Sequence, residues 1–141
     1  MTQEPNLQRF LDAQARDYAA ALAEIKSGRK RSHWMWYVFP QVQGLGFSST
    51  SQHYAIRDLA EAAAYLKHPV LGKRLVEIST ALLELAGSDA NRVFGSPDDL
   101  KLKSSMTLFA AVPGAHAVFA QVLAKYFGGV PDTKTLHLLG R

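Results

Sequence analysis

Residues 30–54 bring together side chains that could bind a small anion and work on it: Lys30-Arg31-Ser32-His33-Trp34-Met35-Trp36-Tyr37-Val38-Phe39-Pro40-Gln41, then Gly44-Leu45-Gly46-Phe47 and Ser48-Ser49-Thr50-Ser51-Gln52-His53-Tyr54. Six of the fourteen aromatic residues and both tryptophans fall here. Lys30 and Arg31 supply positive charge, and Ser32 could cap a short helix over 33–38, whose free N–H groups would favour phosphate. His33 is the candidate acid-base group, because imidazole exchanges a proton near neutral pH. Trp34 and Trp36 could stack on a base or another planar ring. Ser51 and Tyr54, beyond the glycines, complete the near side of the candidate ligand set. Lys101 and Ser105, with Ser104, share a helix face at three-four spacing and could close a pocket from a second element.

Each feature also has a structural explanation, and both stay open at this level. The basic cluster Lys26, Arg29, Lys30 and Arg31 could be a solvated turn. The aromatics could be core, the Gly44-x-Gly46 turn could only redirect the chain, and the hydroxyls could cap a helix. Its spacing fits neither the P-loop nor the dinucleotide fingerprint. The histidines at 33, 53, 68, 116 and 137 have no ligand spacing, and cysteine is absent, so no metal or cofactor is expected. Arg74, inside an apolar helix, could be drawn inward to a carboxylate or ligand, but exposure is the expectation.

The elements that position these residues read as helices. Leu7, Phe10, Leu11, Gln14, Tyr18, Ala21, Leu22 and Ile25 recur on one face over 7–26, with Asn6 as cap and Gly28 as terminator. Asp58 followed by Glu61 is a capping-box arrangement before a helix that stops near His68. Pro69 opens the next, over 70–87, and a short helix spans 89–94. Ser96-Pro97-Asp98-Asp99 starts another that runs to about Ala111. Helices over 115–127 and, capped by Asp132, over 133–139 complete the chain. Residues 41–50 read as loop, and the aromatic segment is the one possible strand. The expectation is all-α: a single domain over 1–141, with six to eight helices around one core.

At 141 residues with 48% hydrophobic and 20% charged residues, the chain has the size and balance of one soluble domain. No run is long and apolar enough for a membrane span, and the acidic residues near the start argue against a signal peptide. With no cysteine, this fits the cytoplasm. The net charge of +4 suits a small anionic partner. Nucleic acid is less well supported, because the basic cluster is short for a binding stripe. Oligomeric state is not readable.

The segment 30–56, with His68-Pro69-Val70-Leu71-Gly72-Lys73-Arg74-Leu75 and Asp98-Asp99-Leu100-Lys101-Leu102-Lys103-Ser104-Ser105-Met106-Thr107-Leu108-Phe109, resembles the bacterial family catalogued as domain of unknown function 1810. The resemblance covers nearly the whole chain and implies a compact, multihelical cytoplasmic protein without an assigned activity. Some members carry the label calpastatin. That inhibitor is disordered, which does not suit this helix-rich composition. A second resemblance, of Ser51-Gln52-His53-Tyr54-Ala55-Ile56 and Asp58-Leu59-Ala60-Glu61-Ala62, is to the NADAR family of helical N-glycosidases. It implies action on ADP-ribose-like or ribosylated-base compounds. In that pattern a glutamate precedes the His-Tyr pair, where this chain has Gln52. The residues themselves favour a pocket for a small phosphorylated or nucleotide-like ligand. The alternative is a non-enzymatic module whose tryptophans and basic turn form a flat patch for protein or RNA.

Overall fold

A computed structural model describes residues 6–141. Among these residues there are nine α-helices and no strand. They are α1 (Gln8–Lys26), α2 (Met35–Val38), α3 (Ser49–His53), α4 (Leu59–Lys67), α5 (Leu71–Leu83), α6 (Ala90–Phe94), α7 (Asp98–Ala110), α8 (Val118–Phe127) and α9 (Thr133–Leu138). The all-α expectation holds, with one helix more than the upper count. The extra element is α3, which overlaps a segment read as loop. Ser48 makes it: its hydroxyl accepts the Ser51 amide and caps a single turn.

Helix boundaries follow local chemistry. Asp58, Asp89 and Asp132 each cap the helix that follows, accepting amides at Glu61, at Asn91 and Arg92, and at Thr135. Asn6 Oδ1 accepts the Gln8 amide at the start of α1. Past its end, Gly28 takes a positive φ of 87°. His68 Nδ1 accepts the amides of Val70 and Leu71 and so starts α5. Two serines just ahead of a helix do not cap it, Ser32 among them against expectation. Ser32 turns its hydroxyl to Glu24, leaving α2 without a side-chain cap. Ser96 does not cap α7, where Pro97 holds the N-cap position and Asp98 turns to two lysines. Glu61 does not close a capping box either; its carboxylate points inward to arginines.

The core runs through α1, α4, α5, α7 and α8. Phe10 meets Tyr65 edge-on at 5.2 Å, and Tyr65, Phe109 and Phe119 continue the ring chain. Gly72 sets the approach of α5 to α4: a Cβ there would lie 2.0 Å from the Leu66 carbonyl oxygen. The aromatic segment forms no strand. It is the short helix α2, and the chain then makes one isolated parallel bridge, Val42 to Ile56. Gln43 N to Ile56 O (2.7 Å) and Ile56 N to Gln41 O (2.9 Å) close the base of the loop that carries α3. No helix among the described residues is long and apolar enough to cross a membrane.

Candidate functional site

Helix α1 fixes the basic turn through one residue. Glu24 receives the backbone amides of Arg31 (2.7 Å) and Ser32 (3.0 Å), the Ser32 hydroxyl, and Trp34 Nε1 (3.0 Å). Burial alone raises this carboxyl. The hydrogen bonds from Ser32, Arg31 and Trp34 overcome that and hold it at about 2. The donors at 31–34 therefore do surround an anion, but the anion is the chain's own carboxylate. No spacing rule links Glu24 to a turn seven residues on, so sequence reasoning missed it.

Lys30 is occupied in the same way. Its ammonium lies 2.9 Å from Asp98 Oδ2 and over the Trp34 ring, and its side chain is only 7% exposed. Trp34 is 1% exposed and packs with Phe39 and Phe94, so it is core and not a stacking platform. Tyr37 and Phe39 are also buried. The Tyr37 hydroxyl donates to Asp17, with the His33 carbonyl also within reach, and burial ahead of the Asp17 hydrogen bond pushes its pKa up. The flat patch of two tryptophans that an interaction module would use is therefore not formed. His33 and Arg31 are exposed and line none of the hollows described below. Ser105 is fully buried and its hydroxyl has no partner among the described residues, so it faces the interior and no pocket.

Four of the expected residues do come together. Trp36, half-buried, Ser51 and Tyr54 line a small recess with Gln41 and Gly46. Its volume of 20 Å³ suits about one water molecule. Trp36, Gln41, Leu45 and Gly46 continue into a groove of 220 Å³ whose far wall includes Lys101, Ser104, Asp132 and Lys134. Gly46 is required here, since a Cβ would come within 2.6 Å of the Ser51 side chain. Lys101 Nζ sits 4.0 Å from the centre of the Trp36 ring. It also lies 2.9 Å from Asp98 Oδ1, so Lys30 and Lys101 share one carboxylate. Burial raises the Asp98 pKa, but the two lysines outweigh it and hold it below the usual range. Two ammonium groups on one carboxylate leave positive charge beside the groove, to which Lys134 adds and which the Asp132 carboxylate partly offsets. Gln41 Nε2, which sequence reasoning did not single out, is buried without a partner among the described residues. Arg74 departs from its expected place: it is half-buried, with its guanidinium over the Tyr18 ring.

No three His, Asp or Glu side chains among the described residues gather as a metal ion would need. The groove offers instead an aromatic wall and the ammonium groups of Lys101 and Lys134. These can hold an acceptor-rich anionic group against a ring.

Comparison with known proteins gives a consistent picture. A family model described as protein of unknown function, DUF1810, matches residues 4–139. A crystal structure of the conserved hypothetical protein Rv1873 from Mycobacterium tuberculosis is similar throughout, with a TM-score of 0.93, 49% identity, and 96% of each chain covered. No curated protein matches the chain.

Proposed function

Since the chain belongs to the DUF1810 family, whose description carries no activity, we propose a function from geometry: it binds a small phosphorylated ligand in the groove that Trp36 and Lys101 line together. The observation that carries this reading is the sharing of Asp98 by Lys30 and Lys101 beside the buried, unpartnered Gln41 Nε2. An anion entering the groove meets a cation whose charge is only partly neutralised. Gln41 lines the same groove, and a rotation of its side chain would bring its buried, unpartnered amide to the anion; leaving that donor unmet costs about 1–3 kcal/mol. Lys134 adds charge at the rim, and Trp36 supplies an apolar wall. The groove's 220 Å³ lies below the usual range for drug-sized ligands, so the ligand is a compact phosphate ester or the phosphorylated end of a nucleotide.

Tryptophan fluorescence tests this directly, because Trp34 is in the core and Trp36 lines the groove. Sugar phosphates and nucleoside monophosphates at millimolar concentration are expected to change the emission saturably. The change should disappear in Trp36→Phe and weaken about tenfold in Lys101→Met, a loss of about 1.4 kcal/mol. No saturable response to any of these compounds, or an undiminished one in Lys101→Met, defeats the reading. Following a bound ester by phosphorus NMR over time then separates a binding protein from a hydrolase.

A further inference from the structure

The recess beneath α3 shares Gln43, Gln52 and Ala55 with a separate open cleft of 340 Å³, which is also lined by Arg9, His53, Arg57 and Glu61. Glu61 is only 2% exposed. Its Oε1 accepts from the Arg57 amide (3.1 Å) and Arg9 Nη2 (3.2 Å), and its Oε2 accepts from Arg57 Nε (3.2 Å). One buried carboxylate thus holds two guanidiniums, and the cluster keeps a net positive charge. The neighbouring Asp58 offsets part of that charge from outside the cleft, which it does not line, with its carboxylate on the Glu61 amide at the helix cap.

The two arginines are used differently. Arg9 Nη1 donates to the Asn6 carbonyl, Nη2 to the Ala55 carbonyl and Glu61, and its plane lies over the Phe10 ring. Its Nε is buried without a partner among the described residues. Arg57 is anchored at Nε alone, and its side chain is 59% exposed. Both of its Nη nitrogens have no partner among the described residues. A free surface arginine loses rotamer entropy on binding, but one already fixed at Nε presents its Nη fork pre-organised. That fork matches two oxygens of a tetrahedral oxyanion. His53, exposed and packed edge-on to Tyr54 at 4.7 Å, lines the same cleft, and its ring nitrogens have no partner among the described residues.

We propose that this cleft is a second anion site, distinct from the Trp36–Lys101 groove, which takes inorganic phosphate or the phosphoryl group of a small monoester on Arg57 and His53. Arg57 contacts the ligand. Glu61 and Arg9 are positioning residues that hold its guanidinium and set the local charge.

The test is an NMR titration of the intact protein with inorganic phosphate and, separately, glycerol 3-phosphate, following the Arg57 Nε–H resonance. A saturable shift is expected, persisting in Lys101→Met. In Arg57→Lys, which keeps the charge and loses the fork, calorimetry should give affinity about tenfold weaker. Saturation by the ester alone supports the site and identifies the ester as its ligand. No saturation by either compound overturns the proposal, as does equal affinity in wild type and Arg57→Lys. A response abolished by Lys101→Met assigns the anion to the groove and also overturns it. Because Arg57→Lys and Lys101→Met report on different clefts, failure of one site is distinguishable from failure of the other.

Discussion

Glu24 stands at the centre of the residue-scale chemistry, since it decides what the basic turn is for. Its four donors make a fixed cradle, and the sequence places no other carboxylate on that turn. The consequence for pH follows from the direction of the shift. The carboxyl titrates at about 2 in the folded protein against an ordinary 4.5, so its contribution to stability is complete above the ordinary value and drains away as pH falls toward 2. In Glu24→Gln the acid limb of the stability profile between those values should flatten, and stability at neutral pH should fall. Urea midpoints measured across that range check both effects. An unchanged acid limb would mean that the cradle does not hold the ionised form.

At the scale of elements, most of the helices were legible because short-range chemistry sets them. Asp58, Asp89 and Asp132 cap the helices that follow, and the three-four apolar spacing of α1 buries Phe10, Tyr18, Ala21 and Ile25. What was not legible depends on residues far apart in the chain. Ser32 has the right type and place for a cap, but Glu24 competes for its hydroxyl. Trp34 has the type of a stacking platform, but Phe39 and Phe94 enclose it. Lys101 and Trp36 were singled out separately, and only the fold places one over the other. Gly72 is a further long-range effect hidden in an ordinary letter. Alanine there gains about 0.5–1 kcal/mol of helix preference over glycine. It must also displace the Leu66 carbonyl from 2.0 Å, and overpacking of this kind costs about 1–3 kcal/mol or more. Steric cost wins, so Gly72→Ala should lower the urea midpoint with an unchanged slope, the reverse of the usual gain from glycine to alanine in a helix.

For the whole molecule, buried side chains from α1, α2 and α4 to α8 join one apolar cluster. We read the chain as one folding unit on that ground. Far-ultraviolet and near-ultraviolet circular dichroism should then report one coincident thermal transition, and two separated transitions would divide it. Both proposed anion clefts lie along the loop that Val42 and Ile56 close, between α1 and α4 on one side and α7 and α9 on the other. The shared carboxylate of Asp98 gives this arrangement an unusual property. A guest that pulls Lys101 toward itself does not strip that carboxylate bare, because Lys30 remains as its counterweight. Such a guest would leave Asp98 paired with Lys30, in the turn between α1 and α2, and not as an orphaned charge.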